Sequence, residues 1–125
     1  KNVLKKKKKT INGKKILVLG MAYKKNSNDL RESPSFRLIE ILQKLNCKID
    51  CSDPYIKNIE QINEVKKVNN VNLITINKKN LKKYDAVILI TDHDNFKYKL
   101  IEKYSKIVID TRNSFSESSK KVYKA

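Results

Sequence analysis

Apolar residues follow two rhythms along this chain. Short unbroken runs, Ile16–Leu19 and Ala86–Thr91, read as strands covered on both faces. Elsewhere apolar residues recur every three or four positions, which reads as helix. The first strand, Lys14 to Leu19, stops at Gly20 and passes into a polar loop. Ser33-Pro34 then opens a helix, because a hydroxyl can cap free amides and proline fits the first helical position. That helix runs to about Leu45 and carries Phe36, Leu38, Ile39, Ile41, Leu42 and Leu45, with Asn46 suited to the left-handed turn that ends it. Cys47 to Cys51 reads as a second strand, closed by a turn at Ser52-Asp53-Pro54-Tyr55.

The middle of the chain is weaker in pattern: a helix within Ile56–Lys67, a short strand at Val71–Ile76, and a brief helix at Lys78–Tyr84. After the Ala86–Thr91 strand, Asp92-His93-Asp94 is expected to cap a helix marked by Phe96, Leu100 and Tyr104. Ile107 to Ile109 is expected to be the last core strand. Strands alternating with helices at this spacing imply a three-layer α/β domain, a mainly parallel sheet flanked by helices. Three polar clusters then leave the same sheet edge: Tyr23–Arg31, Thr91–Asp94 and Asp110–Asn113. Ligands of such sheets bind outside the carboxyl ends of the strands, so the site is expected there, with Lys24, Arg31 and Arg112 on one rim.

Composition changes this picture in a few places. At 125 residues the chain is one domain's worth, and 29 Lys+Arg against 13 Asp+Glu give a net charge of +16. Such a charge invites a polyanion, but the lysines are spread throughout and accompany abundant Asn and Ile, which favours a solvated surface over a nucleic-acid interface. Arginine, the better phosphate fork, occurs only at 31, 37 and 112. Gly13 and Gly20 are the only glycines, so the three-glycine dinucleotide fingerprint is missing, and any phosphate at the first loop has to be held by side chains. Cys47 and Cys51, four apart in one strand, read as buried thiols rather than a disulfide or a zinc site. No apolar run approaches the roughly 20 residues of a membrane span. With Lys first and no secretory signal, the expectation is a soluble cytoplasmic piece of a longer protein. The arm Lys1–Asn12, with its run Lys5–Lys9, is expected to be a basic linker or the end of a preceding element, followed by a domain over residues 13–125.

The segments GKKILVLGMAYKKNSNDLRESPS, CSDPYI, YDAVILITDHDNF and VIDTRN together resemble, in order and spacing, the C-terminal UDP-binding domain of the UDP-glucose/GDP-mannose dehydrogenase family. The resemblance covers roughly Gly13 to Asn113 and implies a Rossmann-like fold. It implies an NAD-dependent oxidation of a nucleotide sugar's C6 alcohol to a carboxylate. Tyr23, Lys24 and Arg112 would contact the UDP-sugar, and Arg31 would reach the NAD bound mainly by a preceding domain. The implied partners are that NAD-binding domain, a central helical domain, and a second copy in a homodimer. Lys25 stands where many relatives have proline, which loosens the loop but leaves Lys24 in place. The family's catalytic cysteine belongs to the preceding domains, so this stretch alone is expected to contain no catalytic residue and to be inactive.

Other polar residues have plainer readings. His93 is read as part of a capping loop rather than a general base. Asp29 and Glu32 are expected to orient the loop by pairing with Arg31 or capping the helix, and Ser33 and Ser35 to cap. The competing function is a non-enzymatic basic module that binds nucleic acid or another polyanion. Which sugar would be oxidised is not written in these residues.

Overall fold

The structure, a computed structural model, describes residues 12–115 and 121–124. Five strands form one sheet in the order β2-β1-β3-β4-β5: β1 Lys15–Leu19, β2 Lys48–Ser52, β3 Ala86–Leu89, β4 Val108–Asp110 and β5 Val122–Lys124. Every pairing is parallel. The expected parallel α/β architecture is therefore present, and β1 and β3 lie side by side at its centre.

Alternation within the strands builds two cores. Ile16 and Val18 of β1 and Ile88 of β3 point into one; Leu17, Leu19, Val87 and Leu89 point into the other. Ile16 to Leu19 are completely buried, as the unbroken apolar run requires. Helix α1, Pro34–Lys44, covers the first face with Phe36, Leu38, Ile39 and Leu42, joined by Ile62 of α2, Ile59–Val65. Leu81 of the single turn α3, Lys78–Leu81, and Ile101 of α4, Tyr98–Tyr104, cover the second. Sheet and helices thus make the three expected layers.

The local signals at the helix ends act as read. The Ser33 hydroxyl accepts from Ser35 N–H, with proline in the first turn of α1, and Asn46 takes φ 66° just beyond its end. Ser35 departs from its expected capping role: its hydroxyl donates to Gly20 O at 2.6 Å, tying α1 to the end of β1. Asn58 and Gln61 form a reciprocal capping box that confines α2 to a shorter span than the pattern suggested.

Two expectations are corrected and one strand is added. Val71–Ile76 is not a strand of the sheet; it contributes only an isolated bridge, Leu73 to Cys51, because its backbone bonds to β2 both fall on Cys51 and no neighbouring pair extends the ladder. Asp92-His93-Asp94 does not cap a helix: α4 begins at Tyr98, and its N-cap position, Lys97, makes no side-chain cap. The side chains of His93 and Asp94 bond Asn26 of the β1 loop instead. Finally, β4 is the last fully buried strand, as expected, and β5, which no pattern in the sequence announced, pairs beside it as a half-exposed edge strand. Cys47 and Cys51 are buried and form no disulfide. The basic arm up to residue 11 lies outside the described residues. Among the described residues, no helix is long and apolar enough to cross a membrane.

Candidate functional site

Because all the strands run the same way, the loops after β1, β3 and β4 leave one edge of the sheet, and hydrogen bonds lash them together. Gly20 N–H donates to Ser52 O at 2.8 Å, Thr91 Oγ donates to Ala22 O at 2.6 Å, and Arg112 Nε donates to Ile90 O at 2.9 Å. Gly20 adopts φ 93°, and a Cβ there would stand 2.6 Å from Thr91 Cβ and 2.7 Å from its backbone. Glycine is required twice over, by conformation and by the close approach of the β3 loop.

The β1 loop is organised by a buried carboxylate. Asp53, just after β2, accepts Met21 N–H at 2.8 Å and Ala22 N–H at 3.1 Å on Oδ2, while Oδ1 accepts Tyr55 N–H at 2.8 Å and shapes the turn. Burial pushes this carboxyl up, but the hydrogen bonds from His93, Tyr55 and Met21 outweigh it and hold Asp53 below the usual carboxylate range. The amides of Met21 and Ala22 are therefore spent on Asp53. In dinucleotide-binding loops such amides cradle the pyrophosphate.

His93 is completely buried, with Nε2 2.9 Å from Asp53 Oδ2. Its Nδ1 accepts the Asn26 N–H at 2.8 Å. A backbone N–H can only donate, so the ring is the neutral Nε2–H tautomer, which donates to Asp53. Asn26 sits at φ 59°, and its carboxamide closes on Asp94 at both ends, Nδ2 to Oδ2 at 2.8 Å and Oδ1 to the Asp94 N–H at 3.0 Å. Further along, Tyr23 N–H bonds Asp29 O at 2.6 Å. Arg31 makes a two-pronged contact with Asp29, Nε to Oδ1 and Nη2 to Oδ2, each 3.1 Å. Asp29 thus pairs with Arg31 as expected, whereas among the described residues Glu32 forms no salt bridge with it, and the cap of α1 is Ser33. The Arg31 side chain stays 82% exposed.

Arg112 rides on a turn shaped by another buried carboxylate. Asp110 accepts Arg112 N–H at 2.9 Å and Phe115 N–H at 2.8 Å, and Lys124 of β5 places Nζ 2.7 Å from its Oδ2. Burial raises this carboxyl, while Lys124 and the two amides lower it by more, so it too lies below its ordinary value.

The residues singled out from the sequence fall into place on this edge. Tyr23, Lys24, Arg31 and Arg112 are all exposed, forming an open basic ledge rather than an enclosed pocket. A cleft of about 900 Å³, lined by Lys15, Lys48 and Tyr84 among others, opens at the opposite edge and contains none of them. The ledge offers cationic donors for a phosphate and an aromatic ring at Tyr23. With one glycine in the β1 loop and its amides engaged by Asp53, these residues do not fit a complete dinucleotide site; only a side chain such as Arg31 is available to one held elsewhere. Cys51 is pushed up to about 12 by burial and its acidic neighbours, and burial raises Cys47 as well. Burial thus keeps both thiols in the protonated, weakly reactive form. Among the described residues, no cluster of His, Cys, Asp or Glu gathers as metal ligands.

Sequence reasoning missed the depth of Asp53, the engagement of His93 and the contribution of Lys124. Asp53 was legible as a turn residue, but its bonds to positions 31 and 32 residues away were not. The left-handed Asn26 carried a signal, since asparagine is enriched in that conformation.

A parallel sheet in the order 2-1-3-4-5, with basic side chains gathered at its carboxyl edge, defines a Rossmann-like α/β domain with an anion-accepting rim. Comparison with known proteins makes this specific. Residues 17–117 match the model of the UDP-glucose/GDP-mannose dehydrogenase family, UDP binding domain, and the chain belongs to that family. It is 31% identical over 107 residues to UDP-N-acetyl-D-mannosamine dehydrogenase of Pyrococcus horikoshii, a match covering 82% of this chain and 22% of that protein. It is 31% identical over 125 residues to UDP-glucose 6-dehydrogenase of Rickettsia conorii, covering 90% of this chain and 27% of the relative. The solved structure of UDP-D-ManNAc dehydrogenase from Pyrococcus horikoshii superimposes with a TM-score of 0.69 at 26% identity, over 98% of this chain and 27% of that one. The chain thus spans about a quarter or less of the length of these relatives.

Proposed function

We propose that this chain supplies the nucleotide-sugar-binding domain of an NAD-dependent UDP-sugar 6-dehydrogenase, which oxidises the sugar C6 alcohol to a carboxylate. The observation that carries the reading is the convergence of the Tyr23–Arg31 loop and the Arg112 turn on one edge, lashed through Thr91 and Ile90. Lys24 and Arg112 neutralise the diphosphate and Tyr23 contacts the nucleotide sugar. The spent Met21 and Ala22 amides explain why side chains must do this work. Arg31, exposed and aimed by Asp29, reaches NAD held by a preceding domain. The hydride chemistry is the cofactor's, and the nucleophilic cysteine is to be sought outside these residues, since both thiols here are buried.

On this reading residues 13–125 are the UDP-binding domain and 1–12 a linker. The assembled enzyme is a cytoplasmic homodimer serving polysaccharide biosynthesis, and the ledge is open because another domain completes the site.

The test is a UDP titration followed by backbone amide shifts at low and at moderate salt. Shifts confined to Tyr23–Arg31 and Arg112 that persist in salt, and that Lys24→Ala and Arg112→Ala each abolish, support the reading. Diffuse shifts that vanish with salt and ignore both substitutions replace it with a polyanion-binding surface, because counterion release makes such binding steeply salt-dependent.

A further inference from the structure

The buried imidazole beneath the β1 loop does more than fill space. His93 is the chain's single histidine, is completely buried, and is wedged between aromatic rings, Tyr55 at 4.8 Å and Phe96 at 5.5 Å between centroids. Its two nitrogens meet opposite demands. Nε2 must carry the proton that bonds Asp53, and Nδ1 must stay bare to accept from Asn26. Asn26 lies two positions after Lys24, in a left-handed conformation that costs a non-glycine residue free energy unless neighbours hold it. The neighbours that hold it are His93 Nδ1 below and the Asp94 clasp beside it, with a longer bond from the Tyr55 hydroxyl to its Oδ1. Asp53 joins both halves of the device, since the same Oδ2 that accepts from His93 also accepts from Met21 and Ala22 at the base of the loop.

We propose that His93 is a positioning residue for the nucleotide loop: by accepting the Asn26 N–H in its neutral form it fixes where Tyr23 and Lys24 stand, and its protonation releases them. This rests on the reading of the rim as a nucleotide site. A second proton on Nδ1 would set two N–H groups head to head at the present 2.8 Å separation, so the Asn26 bond has to break and the Asp94 clasp opens with it. Turning the ring over offers no relief, because it carries Nε2 away from Asp53 and Nδ1 away from Asn26, losing both bonds. The other ionisable groups around it are Asp53 from the β2 turn, Asp94 beside it in the chain, Tyr55, and Tyr98, whose hydroxyl donates to His93 O at 2.6 Å. Asp53 keeps its charge in mildly acid solution, so the event that breaks the contact is protonation of the imidazole itself. Nucleotide affinity of this rim is therefore gated by one buried ring that never touches the ligand.

The experiment is a titration of the ¹⁵N-labelled 125-residue chain with UDP-glucose over a pH range lowered stepwise from about 8 until the imidazole nitrogen signals report the second proton. UDP-glucose is the probe because its diphosphate, esterified at both ends, does not change charge there. The imidazole nitrogen signals come from one residue and need no assignment. The expected result is the Nε2–H tautomer at the alkaline end, with an affinity that falls about tenfold or more as the ring protonates, the worth of one lost organising hydrogen bond. His93→Asn keeps an acceptor near Nδ1, and its affinity should stay within a few-fold of the parent and become independent of pH. His93→Gln keeps only a donor toward Asp53, and it should bind weakly throughout. A packing role alone would penalise both variants alike and leave no pH profile. Should either variant fail to fold, the pH series on the parent chain decides the matter. UDP-glucose binding that stays constant while the imidazole titrates overturns the positioning role and leaves the nucleotide site standing. No binding at any pH overturns the nucleotide site and this inference with it.

Discussion

Lys124 Nζ stands 2.7 Å from the buried Oδ2 of Asp110, so a cation on the edge strand stabilises the carboxylate that shapes the Arg112 turn. The last strand thereby bears on the rim without reaching it. Lys124→Met keeps the aliphatic stem and removes the charge, leaving Asp110 with its two amide bonds but no counter-ion. The expected loss of stability is about 1–2 kcal/mol, less than for a fully enclosed pair because Lys124 is partly exposed. Urea denaturation measures it, and the Arg112 amide resonance should broaden or move in the same variant.

Gly20→Ala tests the contact between the β1 and β3 loops. The new Cβ would meet both the side chain and the backbone of Thr91 at a φ of 93°, so no rotamer change relieves it. A loss of roughly 2–4 kcal/mol is expected, read as a lowered thermal midpoint. An unchanged midpoint would mean that the two loops do not touch.

Acid should undo the scaffold of the rim. Asp53 and Asp110 both lie below their ordinary values in the folded chain, so at acid pH the unfolded chain binds more protons than the folded one. Their contribution is fully present above the unfolded carboxylate value, about 3.9, and is lost as pH falls through the lower folded values. Urea midpoints measured across pH should fall on the acid side, and Asp53→Asn or Asp110→Asn should flatten that fall while lowering the plateau.

Arg31 separates function from folding. Its side chain is 82% exposed and its ion pair with Asp29 is a surface one, so Arg31→Ala should leave the denaturation midpoint unchanged within error. On the proposed reading, the same substitution in the assembled enzyme should weaken NAD while sparing UDP affinity. Lys24→Ala should show the reverse.

The thiols give a check on the core. With Cys51 pushed up to about 12 and Cys47 raised by burial, alkylation at pH 8 should be slow in the folded chain and fast in denaturant. Prompt labelling of either cysteine before unfolding would contradict the burial of that thiol.

The chain's local patterns determined a good deal by themselves. The unbroken run Ile16–Leu19 demanded a strand covered on both faces, Ser33-Pro34 demanded a helix start, and Asn46 a left-handed exit; each is a property of a few adjacent residues. The scarcity of glycine excluded an amide-cradled pyrophosphate, and strand direction placed Lys24, Arg31 and Arg112 on one edge. Tertiary structure decided what no window along the chain contains. Val122–Lys124 became a strand only because β4 offered it a partner; three residues after a pair of lysines are too few to announce a strand. Asp92-His93-Asp94 looked like a cap because such residues accept backbone amides. His93 does accept one, but from Asn26, 67 positions away. Asp53 likewise read as a turn, and serves as one, while its second oxygen reaches the loop after β1. A carboxylate or imidazole can satisfy neighbours near or far in sequence, and only the packing of parallel strands settles which.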